Sequence, residues 1–136
     1  MNIWPESPRW EPYGPLVALE LPWPPSVNHY WRRFRDRYFI SAEGRQFRND
    51  VIKIALAQGA QKFTNDVQVA IVCYPPDRRL RDIDNLSKSV LDGLAYANIY
   101  ADDHQVKRLF IENTKMKGGF IEVYVQGVLF VEQPKT

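Results

Sequence analysis

Three consecutive pieces decide how this chain folds: Asp66-Val-Gln-Val-Ala-Ile-Val-Cys-Tyr74, then Pro75-Pro76, then Asp77-Arg-Arg-Leu-Arg-Asp-Ile-Asp-Asn-Leu-Ser-Lys88. In the first piece Val67, Val69, Ile71 and Cys73 line one face while Ala70, Val72 and Tyr74 line the other. A strand apolar on both faces belongs in the middle of a sheet. The two prolines end it, because proline cannot donate to a ladder. From Asp84 the apolar period changes to that of a helix, with Leu86, Val90, Leu94 and Ala97 in one row and Asp84 as its N-cap. The opposite row is Asp84, Lys88 and Asp92, stacked four residues apart.

Working outward, Asn98–Asp103 must return along that helix, and strands follow over 106–113 and 120–126, joined by a hairpin turn at Lys115-Met-Lys-Gly-Gly119. Upstream, Leu16–Leu21 reads as a short strand stopped by Pro22-Trp-Pro-Pro-Ser26. His29–Ile40 reads as an extended ribbon turning near Arg35-Asp36. Ser41 is a helix N-cap, with Phe47, Val51, Ile54 and Ala55 on one face as far as Gln58-Gly59. Strand, ribbon, helix, strand, helix, strand, strand predicts a two-layer α+β domain with a mixed sheet and two main helices. Residues 1–14, rich in Trp and Pro, read as an N-terminal extension that wraps the domain or stays loose, and 15–136 as a single domain.

Composition narrows the class. At 136 residues, 45% hydrophobic and 25% charged, the chain has the make-up of a soluble globular domain. No run approaches the ~20 apolar residues of a membrane helix, and the N-terminus lacks the basic start and apolar core of a signal peptide. A lone cysteine, Cys73, forms no internal disulfide. We expect a cytoplasmic protein with no membrane partner. The net charge of +2 is uninformative, but six arginines fall between Asn28 and Arg48, interleaved with Tyr30, Trp31, Phe34, Tyr38 and Phe39. Guanidinium groups hold phosphates and aromatic rings stack on bases. Arg32, Arg33, Arg35 and Arg37 of the ribbon, and Arg78, Arg79 and Arg81 of the loop, are therefore candidate phosphate contacts. A solvated strand pair with a core-facing aromatic stripe gives the same composition.

Asp82 and Asp84, among arginines, suit a divalent metal beside a phosphate, since hard cations take oxygen ligands and arginine matches the polyanion. In an extended segment the two carboxylates would share a side. Asp103 is reachable as a third ligand: the helix carries the chain roughly 20 Å away at ~1.5 Å per residue, and six extended residues recover about 20 Å. Completion by a second subunit is equally open. Lys88, one turn beyond Asp84, is placed to stabilise transition-state charge or protonate a leaving oxygen. A second reading stands beside this one: Asp84 caps the helix, Lys88 pairs with Asp84 or Asp92, and no metal binds. His29 and His104 lack partners at zinc spacing, and the serines lack a nucleophile-elbow context. A small-molecule phosphohydrolase is disfavoured because the arginines are spread over separate segments.

These residues resemble a known family. Pro76-Asp-Arg-Arg-Leu-Arg-Asp-Ile-Asp-Asn-Leu-Ser-Lys88, followed by Leu91-Asp-Gly-Leu94 and Asp102-Asp103, is similar to the central motif of the RusA-type Holliday junction resolvases, small phage- and prophage-associated endonucleases of bacteria. Leu21-Pro-Trp-Pro-Pro-Ser-Val-Asn28, Ser41-Ala-Glu-Gly-Arg45 and Gly118-Gly-Phe-Ile-Glu-Val123 agree as well, so the likeness covers about residues 16–126. It implies a Mg2+-dependent homodimer that resolves four-way DNA junctions by paired symmetric nicks in recombination and repair. It further implies Asp82, Asp84 and Asp103 as metal ligands, Lys88 as the catalytic lysine, and Asn85 and Asp102 as supporting residues. Residues 1–14 lie outside the pattern. The competing expectation is a DNA-junction-binding protein that keeps the fold without turnover.

Overall fold

A computed structural model describes residues 3–131. Four strands, β1 (Trp10–Pro22), β4 (Val67–Tyr74), β5 (Val106–Asn113) and β6 (Phe120–Phe130), form one mixed sheet in the order β1-β6-β4-β5. β2 (Trp31–Phe34) and β3 (Arg37–Ile40) form a separate two-stranded ribbon. Three helices complete the fold: α1 (Val27–Tyr30), α2 (Ala42–Gln58) and α3 (Asp84–Tyr96). The α+β class with a mixed sheet is as the sequence predicts.

β4 is central, as its two apolar faces require. It pairs in parallel with β5 and antiparallel with β6. Val67, Val69, Ile71 and Cys73 pack towards the helices with Leu19, Leu21, Ile121, Val123 and Val125, and meet Phe47 and Val51 of α2 and Leu86, Val90 and Leu94 of α3. Burial pushes the Cys73 thiol up to about 11, which leaves it a small apolar core residue. The two helices touch closely at Gly93, where an added Cβ would lie 2.9 Å from Phe47 Cε2.

Four expectations are corrected. The glycine pair joins no hairpin, because β5 and β6 flank β4 on opposite sides. The connection instead crosses the end of β4, with Gly118 and Gly119 donating to Pro75 O and Tyr74 O. β1 and β6 are both longer than expected, because Trp10–Tyr13 pair with Phe130–Gly127 beyond an irregularity at residues 14–15, where Gly14 takes φ +79. The segment set apart as an extension therefore divides. Its second part is the start of β1, and residues 3–9 cross the sheet face away from the helices, where Trp4 is buried near Phe110 and donates to Gln126 Oε1 at 2.8 Å. The ribbon starts at Trp31, two residues later than expected, since Val27–Tyr30 form a helical turn.

The fourth correction concerns the motif helix. Its N-cap position is Ile83, in αR conformation and without a side-chain cap bond, and Asp84 is its first residue. The carboxylate of Asp84 is thus not spent on capping. The helical conformation of Ile83 also breaks the extended geometry that would place Asp82 and Asp84 on a shared side. Ser41, by contrast, caps α2 as expected, accepting from Gly44 N.

Candidate active site

The site is built where the loop after β4 meets the start of α3. Asp77 organises that loop: it accepts from Arg79 N at 2.9 Å and from Arg81 Nη2 at 2.8 Å. These donors, the Arg79 amide first, hold its carboxyl below the usual range. Arg81 is turned inward, donating also to the carbonyls of Asp77 and Arg79, with its guanidinium 5.4 Å from the Trp23 ring centroid. Trp23 N donates to Gly119 O, and Ser89 of α3 donates to Pro25 O at 2.8 Å. The Leu21–Asn28 segment thus cradles the motif. Arg81 belongs to this scaffold. Arg78 remains exposed and unpaired among the described residues, and Arg79, although paired to Asp77, is open to solvent.

Asp82, Asn85, Arg79, His29 and Ser26 line a cavity of about 470 Å³. Asp82 and Asp84 are exposed and their carboxylates have no hydrogen bond or ion pair among the described residues. Lys88 is exposed too, one turn further, and borders a second cavity of about 730 Å³ beneath the β2–β3 ribbon. It pairs with neither Asp84 nor Asp92. The pairing reading of this face therefore fails, because Asp92 has other partners: Arg48 Nε donates to Asp92 Oδ2 at 2.9 Å and Tyr30 Oη donates to the same carboxylate.

The return from α3 succeeds in part. Asn98 adopts φ 62, reversing the chain at the helix end, and Ile99 N donates back to Leu94 O. Ile99 and Tyr100 are buried, and Tyr100 Oη donates to Leu91 O at 2.7 Å. Asp102 caps the following 3-10 turn, accepting from His104 N and pairing with His104 Nδ1 at 3.0 Å. The His104 amide, first among its partners, keeps the Asp102 carboxyl below its usual range. Gln105 locks the turn to Phe63 O and Asn65 O. Asp102 is therefore a structural support, and Asp103 is left with a free carboxylate. Burial raises the Asp103 pKa first, the charges of Asp92 and Asp102 add to this, and Lys88 opposes it.

Asp103 thus comes beside the Lys88–Asp92 part of α3, whose charges act on it. Among the described residues no three His, Cys, Asp or Glu side chains converge as a metal-holding group. The donor chemistry nevertheless fits a hard cation: unpaired carboxylates, with no thiolate or imidazole pair nearby. Magnesium in nucleic-acid sites commonly takes only one or two carboxylates, with phosphate and water supplying the rest. The reach of the chain was legible in the sequence, whereas the level at which Asp103 docks was not. The Arg48–Asp92–Tyr30 knot and the role of Asp77 were also missed. The first joins residues 44 and 62 positions apart, which no local pattern reveals. The second has a local signal, an aspartate two residues before an arginine in a loop.

This is the constellation of a phosphodiester-cleaving enzyme: free carboxylates, a cation one turn away, and arginine–aromatic surfaces around them. The family described as Endodeoxyribonuclease RusA matches residues 22–126. A crossover junction endodeoxyribonuclease of Shigella sonnei is 40% identical over 110 residues, covering 79% of this chain and 92% of its own. Its counterpart in Escherichia coli K12 is 39% identical over the same length and shares. One from Enterobacteria phage 82 is 39% identical over 109 residues, covering 79% and 91%. The chain belongs to the RusA family of endodeoxyribonucleases.

Proposed function

We propose that this protein is a crossover junction endodeoxyribonuclease, resolving four-way DNA junctions by paired, Mg2+-dependent nicks as a homodimer. The observation that carries the reading is the pair Asp82 and Asp84, left exposed and unpaired beside Lys88, while Asp77 of the loop and Asp102 of the turn are committed to structure. Exposed charge without partners, next to arginines, is poorly explained by stability. Relatives named for junction cleavage support the choice of substrate.

Asp82 and Asp84 would hold the magnesium ion, with Asp103 as the third candidate ligand, from its own subunit or its partner. When bound, such an ion stabilises the negative charge that gathers on the attacked phosphate. Lys88 would place its ammonium on the phosphate oxygens and supply a proton to the leaving oxygen. Asn85 would orient Asp82 within the shared cavity. Arg78 and the ribbon arginines would hold flanking phosphates, so binding should weaken steeply with salt. A two-fold dimer would present two equivalent sites to the two equivalent strands of a junction. No helix among the described residues is long and apolar enough to cross a membrane.

The test is a labelled junction and a matched linear duplex, each incubated with magnesium or chelator. We expect symmetric nicks in the junction alone, only with magnesium. Asp82→Asn should remove cutting and preserve junction binding. Binding without cutting by the parent chain would establish the non-catalytic alternative. Sedimentation equilibrium decides the dimer.

A further inference from the structure

The β2–β3 ribbon has no neighbour in the main sheet, and every residue from Arg32 to Phe39 is exposed. An isolated pair of four-residue strands is marginal in water. It is anchored chiefly at its base, where Trp31 sits edge-on to Tyr30 at 5.2 Å and under the Arg48 guanidinium at 5.7 Å, and Ser41 N donates to Tyr30 O. The cross-strand pairs Trp31↔Ile40 and Arg33↔Tyr38 put these four side chains on one face. Beneath the ribbon lies the cavity of about 730 Å³, lined by Asn28, Trp31, Arg32, Arg33, Tyr38 and Lys88 among others.

That lining has a definite chemistry. It offers two aromatic rings, three cations, an amide carrying both donor and acceptor, and no carboxylate. The volume is ordinary for a ligand pocket. A flat, hydrogen-bonding ligand carrying negative charge at its edge satisfies all of it. The ion pairs of Arg32 with Glu43 at 3.9 Å and of Arg33 with Asp36 at 3.8 Å are long and exposed, and a phosphate would readily displace them, while Arg33 Nε also donates to Arg35 O at 3.2 Å.

The geometry points to this pocket as the seat of a single base extruded from the stack beside the cleaved phosphodiester. Tyr38 and Trp31 stack on the base, Asn28 faces its edge, and Arg33, on the same ribbon face as the rings, holds a flanking phosphate. Lys88 in the pocket wall ties the seated nucleotide to the chemistry. The assignment rests on the junction-cleaving reading above. It adds to it a discrete nucleotide subsite, beyond a general basic surface. A branch point suits such a site, since extrusion costs least where pairing is already interrupted.

A thermodynamic cycle tests it. Junction affinity is measured in chelator, for the intact junction and for junctions carrying one abasic nucleotide stepped through the positions around the cut. Tyr38→Ala should weaken binding of the intact junction roughly 5- to 150-fold, the equivalent of the about 1–3 kcal/mol that a stacked base contributes. At one abasic position that loss should vanish, and Tyr38→Phe should bind like the parent. The same Tyr38→Ala loss on every junction, or no loss on the intact one, overturns the subsite while leaving junction cleavage standing. A parent chain that neither binds nor cuts junctions overturns both. Tyr38 is 68% exposed, so its variants are expected to fold, which thermal melting confirms.

Discussion

The two ends of α3 carry acidic residues from one row of the helix and use them in opposite ways. At the N-terminal end Asp84 and Lys88 are exposed and unpaired, next to an equally free Asp82. Two turns on, Asp92 takes bonds from Arg48 and Tyr30, and the Arg48 guanidinium lies 4.4 Å from the Tyr96 ring centroid. Tyr30 is fully buried, and burial together with its bond to Asp92 keeps its hydroxyl protonated. One end of the helix spends its charge on holding α1, α2 and α3 together. The other end keeps its charge available. A helix can present unsatisfied charge at one end when the opposite end supplies the packing that fixes it in place.

The largest effect we expect from breaking this contrast is on stability. Arg48→Ala leaves Asp92 without its guanidinium in a site where the Arg48 side chain is 16% exposed. It also removes the cation stacked on Trp31 and Tyr96. Removing one partner of a largely buried pair should cost about 3 kcal/mol, read by denaturant unfolding. Arg48→Lys should recover only part of this, because lysine lacks the planar fork. A loss below about 0.5 kcal/mol, the size of an ordinary surface change, would show that the knot does not hold the helices. Lys88→Ala is the counterpart. It should leave the melting midpoint unchanged while slowing cutting roughly a hundredfold, close to about 2.7 kcal/mol in the barrier. Single-turnover kinetics at saturating junction separate this from weaker binding. Unchanged turnover would remove Lys88 from the chemistry.

The same contrast explains what the sequence could disclose. The central strand, both long helices and the Ser41 cap follow from periodicity and local hydrogen bonding, which act within a few residues. So does the ribbon turn at Arg35-Asp36, where Arg35 takes φ 57. The extent of β1 and β6 was invisible, because Trp10–Tyr13 have no strand pattern of their own and are strands only by pairing with Gly127–Phe130. The hairpin expected at Gly118-Gly119 failed for a related reason. A glycine pair reports a backbone reversal, and says nothing about which strand lies next to which. At the site, residue types and spacing singled out Asp82, Asp84, Lys88 and Asp103. Which of these remain free depends on partners far away in sequence, such as Arg48 for Asp92. Asp102 differs again: its commitment to His104 is local, and could have been read from the Asp102-x-x-Gln105 spacing.

The smallest effect lies in the loop that leads into the reactive end of α3. Asp77 gathers the Arg79 amide and both guanidinium groups, and Arg81 passes that order on to Trp23 and the proline-rich cradle. These bonds are made to the ionised carboxylate, so its folded pKa lies below the unfolded value. The ordering is accordingly complete above the ordinary carboxylate range and fades as pH falls through the depressed value. Asp77→Ala should reproduce the low-pH state at neutral pH. Because the loop is solvent-exposed, global melting should barely change, whereas trypsin should cleave after Arg78 or Arg79 sooner than in the parent, reporting local opening. Junction cutting should slow a few-fold, since Asp82 would then enter the site from a less ordered loop. If cleavage after Arg78 or Arg79 is no faster in Asp77→Ala, the loop is held by Pro75, Pro76 and the contact of Arg81 with Trp23 alone. The free end of α3 would then owe its geometry to the apolar cradle, with no contribution from the Asp77 ion pairs.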